Sequence, residues 1–125
     1  MPTYTRAAAT IPASDLGRAR KFYEETLGLT VLEDTPAGIF YQAGPGQVFL
    51  YESQYAGTNQ ATAATFEVTD LDAAVAELRD RGATFEEYDI PGVKTVNGIA
   101  ELGPYRSAWI KDTEGNILSI GTTGS

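Results

Sequence analysis

The side chains of this chain that could carry acid–base chemistry are few. The sequence contains no histidine and no cysteine, which excludes a Ser-His-Asp triad, a thiolate nucleophile and an imidazole base. Proton transfer would therefore need a carboxylate, a lysine or a tyrosine whose pKa has been shifted by burial. The candidate catalytic residues are Tyr105, Lys94 and Glu101, which lie in or beside a segment rich in glycine and proline. Their spacing matches no recognised catalytic motif.

Aromatic side chains indicate a binding site more strongly. They lie on predicted strands or on the loops that join them, and neighbouring residues of a strand point to opposite faces. Rings that face away from the helices would line an apolar pocket with hydroxyl and indole N–H groups, a composition typical of small-molecule sites. The candidate ligand-binding residues are Trp109, Tyr105, Tyr51, Phe49, Tyr41 and Arg106.

The elements that must position these side chains occur twice. Ser14-Asp15-Leu16 follows one strand-like segment, and Thr69-Asp70-Leu71 follows another. Ser, Thr and Asp are good helix N-caps, because a side-chain oxygen accepts a backbone N–H that the first helical turn leaves unpaired. The two aspartates are 55 residues apart. This spacing indicates that one supersecondary unit has been duplicated.

Hydrophobic periodicity predicts the same order of elements in both halves. Amphipathic helices are predicted over residues 16–27 and 71–81, each ending near a glycine. Strands are predicted over residues 30–34, 39–43 and 48–53 after the first helix, and over residues 84–88, 105–111 and 117–121 after the second. Each half therefore has the pattern βαβββ. Residues 90–104, with two prolines and three glycines, are predicted to form a long irregular loop.

Composition limits the class of protein. At 125 residues, 42% hydrophobic and 21% charged, the chain is predicted to form a single domain over residues 1–125, with module one at about 4–53, a linker at 54–61 and module two at about 62–122. A net charge of −8 argues against nucleic-acid binding and favours neutral or cationic ligands. No apolar run is long enough to span a membrane, and there is no signal-like core, so a cytoplasmic location is expected.

One conspicuous polar motif is predicted to be structural. Asp112, Gly115 and Asn116 form an Asp-x-x-Gly-Asn segment between two predicted strands. Glycine and asparagine tolerate positive φ, and an aspartate side chain can accept hydrogen bonds from its own backbone. These three residues are therefore interpreted as a turn and not as a catalytic site.

Several motifs resemble the vicinal oxygen chelate superfamily, which includes glyoxalase I, extradiol dioxygenases and the bleomycin- and fosfomycin-resistance proteins. The similar segments are Ile11-Pro12-Ala13-Ser14-Asp15-Leu16, Phe22-Tyr23 and Leu27-Gly28-Leu29. Residues 108–119 resemble its closing hairpin, with Thr113 where proline is usual. The resemblance implies an α+β fold, in which two tandem βαβββ modules form a curved, cup-like mixed sheet with the helices on its outer face. It also implies a homodimer.

Metal-binding members of that superfamily use two histidines and two carboxylates on the first and last strands of the modules. Counting from the Asp-Leu motifs, and from Gly46 and Gly115 in the last hairpins, places these positions at Ala8, Leu50, Ala63 and Ser119. Two methyl groups, an isobutyl group and a hydroxyl offer a divalent ion no imidazole and no carboxylate. The sequence therefore predicts no metal site and no cofactor.

The resulting prediction is a metal-independent protein that holds an apolar or aromatic, neutral-to-cationic small molecule in the cup. Binding of this kind would resemble the antibiotic sequestration of bleomycin-resistance proteins. One alternative is a metal-independent isomerase, cyclase or lyase that uses tyrosine, lysine or glutamate in the same cup. Another is an interaction or sensor module whose cup is filled by its own side chains.

Overall fold

Two sheets and the helices that cross them make up the structure, a computed structural model that describes residues 1–123. The first half contains β1 (Ala9–Ala13), α1 (Leu16–Lys21), a π-helical turn (Phe22–Thr26) that continues α1, β2 (Thr30–Thr35), β3 (Gly38–Ala43) and β4 (Gly46–Glu52). The second half contains β5 (Thr62–Glu67), α2 (Leu71–Asp80), β6 (Asp89–Ile90), β7 (Val93–Val96), β8 (Ile99–Leu102), β9 (Tyr105–Lys111) and β10 (Ile117–Thr123). We call residues 9–52 module one and residues 62–123 module two.

The first four strands of the two sheets follow the same order, and sheet two has two further strands at its edge. Sheet one has the order β1-β4-β3-β2, and sheet two has the order β5-β10-β9-β8-β7-β6. In each sheet the first strand of the module runs parallel to the last, and the other neighbours are antiparallel. β1 and β5 lie next to each other where the sheets meet. The prediction of an α+β fold with two βαβββ modules and open, curved sheets is confirmed.

The duplicated helix starts have nearly identical geometry. Asp15 has φ −130° and ψ 99°, and its carboxylate accepts the N–H of Arg18. Asp70 has φ −133° and ψ 99°, and its carboxylate accepts the N–H of Ala73. In both modules an extended aspartate therefore pairs an N–H group of the first turn, as the sequence predicts.

The edge of sheet two differs from the prediction. Residues 90–104 are not an irregular loop, because they contain the complete hairpin formed by β7 and β8. Residues 84–88 are not a strand, and Phe85 forms only a single bridge to Ile110. The Asn97-Gly98 pair, with φ of 54° and 85°, makes the tight turn between β7 and β8. Asn-Gly is a strong hairpin signal, and it lay inside the segment predicted to be irregular.

One hydrophobic core lies on the face of the sheets that the helices cover. Sheet one contributes Ile11 and Leu50, sheet two contributes Ile110, and the helices contribute Tyr23 and Val75, all of them buried. We call this side of each sheet the helix face and the opposite side the open face. No helix within residues 1–123 has both the length and the apolar character needed to cross a membrane.

Candidate functional site

Three aromatic rings lie in a row on the open face of sheet one. The ring centroids of Phe40 and Phe49 are 4.4 Å apart. Those of Phe49 and Tyr51 are 6.2 Å apart, with the ring planes within 4° of parallel. All three rings are partly exposed, whereas Ile39 and Leu50, which alternate with them along β3 and β4, are buried in the core. Folding therefore leaves a continuous aromatic surface on this face.

A cation already lies on that surface. The guanidinium carbon of Arg6 is 3.6 Å from the centroid of the Phe40 ring. One nitrogen of the same group donates to Glu33 at 3.2 Å and to Gln47 at 3.4 Å. A cation over an aromatic ring is attracted by the negative face of the π-system, which contributes about 0.5–1 kcal/mol at an exposed position. A cation of the protein itself therefore covers the Phe40 ring, and the rings of Phe49 and Tyr51 extend the surface beyond it.

The open face of sheet two carries a second aromatic group. Trp109 is partly exposed and packs edge-to-face on Tyr88, with ring centroids 5.5 Å apart. Tyr105, two pleats earlier on β9, is 53% exposed. Between them the hydroxyl of Ser107 is 2.8 Å from the hydroxyl of Ser119. An indole and a phenol therefore flank a small buried polar pair.

Tyr41 lies elsewhere. Its side chain is fully buried on the helix face, where its ring stacks on Tyr23 at 6.3 Å. Its hydroxyl donates to the Glu24 carboxylate at 2.7 Å. Burial first, and the nearby Glu24 carboxylate second, raise the pKa of Tyr41 well above its ordinary value. The structure places Tyr41 in the core, because it alternates with Phe40 along β3 and so points to the opposite face.

Arg106 and two of the candidate catalytic residues also lie on the helix face. The Arg106 guanidinium donates to both carboxylate oxygens of Asp72 on α2 at 3.2 Å, and its Nε is 3.5 Å from Glu101. Lys94 lines the same cavity as Arg106 and Glu101. Tyr105 precedes Arg106 on β9 and points to the open face. The structure therefore separates Tyr105 from Lys94 and Glu101.

The sequence itself identifies the wider group to which this fold belongs. A sequence model of the Glyoxalase/Bleomycin resistance protein/Dioxygenase superfamily matches residues 5–120. The chain belongs to this superfamily. No curated protein sequence matches the chain significantly.

Solved structures of similar fold span the whole chain. A glyoxalase/bleomycin resistance protein/dioxygenase from Alicyclobacillus acidocaldarius has a TM-score of 0.71 and 18% identity, covering 100% of this chain and 96% of that one. A lactoylglutathione lyase from Agrobacterium tumefaciens has a TM-score of 0.68 and 20% identity, covering 97% and 95%. TnmS3, an antibiotic binding protein from Streptomyces sp. CB03234, has a TM-score of 0.64 and 20% identity, covering 99% of each chain. At these identities the likeness shows the fold alone.

The superfamily's metal positions fall on side chains that do not fit a metal ion. The register pairs Ser119 with Thr65 and Phe49 with Thr10, so the position equivalent to Ser119 is Phe49 and not the buried Leu50. Counting from the glycines misplaced this position by one residue, because the β9–β10 turn is longer than the β3–β4 turn. The corrected set (Ala8, Phe49, Ala63 and Ser119) contains no imidazole and no carboxylate. Within residues 1–123, no three or more side chains of the metal-ligating types cluster together.

Sequence analysis missed one buried carboxylate, Glu114. Its side chain is fully buried. One of its oxygens accepts the Asp15 N–H at 2.9 Å, the Ser14 hydroxyl at 3.0 Å and an Arg18 nitrogen at 2.9 Å. The other accepts Arg18 Nε at 2.8 Å. The Arg18 hydrogen bond is the main cause that lowers the pKa of Glu114 to about 2. No sequence signal marks it, because a glutamate in a polar turn is ordinarily solvated.

The Asp112–Asn116 turn is structural, as predicted, and it also joins the modules. The Asp112 carboxylate accepts the N–H groups of Glu114 and Asn116 at 2.9 and 2.8 Å, and the Tyr23 hydroxyl at 2.6 Å. The Asn116 amide donates to the Pro12 carbonyl at 2.8 Å. Tyr23 and Pro12 belong to module one. The turn therefore fixes the start of module one against module two.

Proposed function

We propose that this protein binds a planar aromatic molecule, uncharged or cationic, on the aromatic open faces of its sheets, without a metal ion and without converting it. The observation that carries the proposal is the row of partly exposed rings Phe40, Phe49 and Tyr51. Folding buries large apolar side chains wherever the sequence allows, and an aromatic surface left open beside a packed core is typical of binding sites. The Trp109–Tyr88 pair adds a second such surface.

Charge supports the cationic preference. The net charge of the chain is −8, which attracts cations over a long range and repels anions. An aromatic ligand that stacks on one of these rings gains about 0.5–1.5 kcal/mol of binding free energy beyond the burial of its apolar surface. Metal independence is supported by the side chains at Ala8, Phe49, Ala63 and Ser119, which have no ligand for a transition metal.

The comparisons support a binding role of a particular kind. TnmS3 is described as an antibiotic binding protein, and its fold spans this whole chain. We therefore propose sequestration of an aromatic antibiotic as the biological role. The enzyme alternative has less support, because Lys94 and Glu101 lie on the helix face and Tyr105 on the open face. We further propose that residues 1–125 form one domain, supported by the shared core, and that the protein is a cytoplasmic homodimer, supported by its superfamily.

A matched set of bicyclic ligands tests the proposal. N-methylquinolinium is cationic, naphthalene is neutral and naphthalene-2-sulfonate is anionic, while ring size is the same in all three. Trp109 is the only tryptophan, so its fluorescence reports directly on the open face of sheet two. We expect the cation and the neutral ligand to change this fluorescence at concentrations at least tenfold lower than the anion. Equal response to the anion would contradict the charge assignment.

Trp109→Ala tests the site itself, with affinity measured by calorimetry because the fluorophore is lost. We expect at least tenfold weaker binding, equivalent to about 1.4 kcal/mol, and we expect Trp109→Phe to retain most of the affinity. Tyr55→Ala removes an aromatic side chain that lies outside both sheets and should leave affinity unchanged. A folded Trp109→Ala protein with unchanged affinity would place the site elsewhere.

Native mass spectrometry of protein purified from its source tests the remaining points together. We expect a dimer that carries one organic molecule per chain and no stoichiometric zinc, nickel, iron or manganese. One equivalent of such a metal, lost together with ligand binding on chelation, would overturn metal independence. A carried molecule that is converted on incubation would replace sequestration with catalysis.

A further inference from the structure

An apolar cavity lies on the helix face where the two modules meet. Its volume is about 560 Å³, within the range of about 300–1,000 Å³ that is typical of small-molecule sites. Module one contributes the segment after the π-helical turn, the β3–β4 turn and the start of β4, and module two contributes β5 and α2. None of the open-face aromatic residues described above lines it. The cavity is therefore separate from the site proposed on the open faces.

The hydrophobic core is incompletely covered at this cavity. Within residues 1–122, nine hydrophobic residues pack against the core but stay partly exposed. Six of them line the cavity: Ala9, Leu27, Leu29, Phe66, Val68 and Ala74. Their exposed surfaces lie beside one another, so a single apolar molecule covers several of them at once. Its binding free energy rises with the apolar area that leaves water.

The equivalent junction of the two modules is already occupied by side chains of the protein. There the Glu114 carboxylate accepts the Asp15 N–H at 2.9 Å, and the Asn116 amide donates to the Pro12 carbonyl at 2.8 Å. At the cavity the corresponding turn carries a glycine, and a Cβ added at Gly44 would meet no atom within 4 Å. The chain therefore has two equivalent junctions, one closed by its own polar side chains and one with room for a ligand.

No unpaired charge of residues 1–122 faces the cavity. Arg81 and Glu77 line it and form an ion pair at 2.7 Å, and Arg81 also donates to the Thr26 carbonyl at 3.3 Å. Glu67 alternates with Phe66 along β5, so its carboxylate points to the open face. A charged group placed in the cavity would lose water without gaining a partner. The lining therefore favours an uncharged ligand.

The surroundings of the cavity favour a small molecule over a protein partner. A stable protein interface buries about 1,000 Å² or more and has an apolar centre larger than one cavity. The exposed large hydrophobic residues of this chain would be the natural extension of such an interface. None of those within residues 1–122 lines the cavity: Met1, Tyr4, Val31, Leu32, Tyr55, Ile90, Val96 and Tyr105.

We propose that this cavity binds an uncharged apolar small molecule, which covers the exposed part of the core between the modules. Its hydrocarbon lies against Leu27, Leu29 and Val68. A single hydroxyl group of the ligand stays in water beside the Arg81–Glu77 pair. The site is independent of the open faces, and either proposal can fail without the other.

Three ligands with one rigid hydrocarbon cage test the ligand class. Adamantan-1-ol is uncharged, adamantan-1-amine is a cation at neutral pH and adamantane-1-carboxylate is an anion. The cage is not planar, so it cannot stack flat on the open-face rings. Titration of the ¹⁵N-labelled protein should shift the amide signals of residues 43–48, 64–68 and 74–81. The alcohol should bind at least fivefold more tightly than either ion, because an ion keeps its water only when the cage withdraws from the wall.

Three outcomes of this titration would overturn the proposal. One is tighter binding of either ion than of the alcohol. Another is a set of shifts confined to residues 49–51 or 105–111, which would place the ligand on an open face. The third is the absence of any shift up to the solubility limit of adamantan-1-ol.

Filling the cavity from either wall should remove this binding. Ala74 on α2 and Ala43 at the end of β3 line the cavity, whereas Ala76 is exposed on α2. Ala74→Phe and Ala43→Phe each place a ring in the space and should weaken adamantan-1-ol binding at least tenfold. Ala76→Phe is the matched control and should leave the affinity unchanged. Unchanged affinity in a folded filling variant would overturn the proposal; if neither variant folds, the amide shifts of the unmodified protein decide.

Dilution of the ligand-free protein distinguishes a small molecule from a second copy of the chain. We expect the amide signals of residues 43–48 and 64–68 to stay in place as the protein concentration falls, because the cavity is open to solvent in the free protein. Signals in these segments that move with concentration would show that a second copy covers the cavity, and the proposal would be wrong.

Discussion

The β9–β10 turn and the β3–β4 turn occupy corresponding places in the two modules, yet only one of them packs tightly against the other module. Residues 112–116 bring a buried carboxylate and a buried amide to the β1–α1 junction. Residues 44–45 bring a glycine and a proline to the β5–α2 junction, and a cavity remains there. The order of the first four strands and the helix capping are the same in both modules. The two junctions therefore differ in whether polar turn side chains fill them.

A buried polar turn of this kind stabilises only when its groups are all paired. Within residues 1–122, no buried side-chain nitrogen or oxygen lacks a hydrogen-bond partner. The Glu114 carboxylate and the Asn116 amide satisfy donors and acceptors of module one, so removing either leaves several groups unpaired at once. The β3–β4 turn has no such role, and substitutions there should cost little.

Removal of the buried carboxylate should have the largest effect. Glu114→Ala takes away the acceptor shared by Arg18, Ser14 and the Asp15 N–H. We expect the free energy of unfolding to fall by about 2–4 kcal/mol in urea denaturation, because these donors lose their partner in a partly buried site. Pro45→Ala in the opposite turn is the control, with an expected change of about 1 kcal/mol or less. Equal losses in the two variants would remove the contrast between the turns.

Removal of the buried amide should come next. Asn116→Ala leaves the Pro12 carbonyl and the Gly57 N–H without their partner, and we expect a loss of about 1–3 kcal/mol. Gln47→Ala, beside the β3–β4 turn, removes only a 3.4 Å contact with Arg6 and should cost about 0.5 kcal/mol or less. Thermal and urea unfolding measure both variants. A larger loss of unfolding free energy for Gln47→Ala than for Asn116→Ala would contradict the conclusion that the β9–β10 turn, and not the β3–β4 turn, packs tightly against the other module.

The pH dependence of stability should single out Glu114. Its pKa is about 2 in the folded protein and 4.5 as an ordinary carboxyl, so the folded state holds its proton more weakly. The stabilisation is therefore complete above pH 5 and decreases as the pH falls toward 2. Between pH 5.5 and 3, the stability difference between wild type and Glu114→Gln should shrink by about 1–2 kcal/mol. A difference that stays constant with pH would show that the carboxylate charge does not contribute.

Removal of either helix cap should destabilise the protein by a similar amount, because the cap geometry is the same in both modules. Asp15→Ala and Asp70→Ala each remove one hydrogen bond to a first-turn N–H, at 3.0 and 3.1 Å. We expect each to lower the free energy of unfolding by about 1 kcal/mol. The two losses should agree within about 0.5 kcal/mol, since the Glu114 contact at Asp15 involves its backbone and not its carboxylate. A large difference would mean that the turns influence the caps as well.

The sequence by itself determined the features that depend on near neighbours. Asp15 and Asp70 cap helices because each lies three residues before the N–H group it binds, and hydrophobic periodicity locates both helices. The absence of histidine and cysteine, and the small side chains at Ala8 and Ala63, likewise follow from residue identity alone. The Asn97-Gly98 hairpin is also specified by neighbouring residues, because Asn-Gly is a local turn signal. The prolines and glycines around it led instead to the prediction of a loop.

Only the tertiary structure decided which side of each sheet a residue faces and what lies opposite it. Side chains alternate along a strand, so a shift of one residue in register exchanges the core with the open face. The sequence placed Leu50 at the superfamily's metal position on the open face, whereas the register places Phe49 there and Leu50 in the core. Tyr41 and Arg106 lie on the helix face for the same reason. Glu114 is buried because Arg18 and Ser14, nearly a hundred residues earlier in the chain, enclose it. Such contacts between distant residues form only when both modules fold and pack, and no local pattern specifies them.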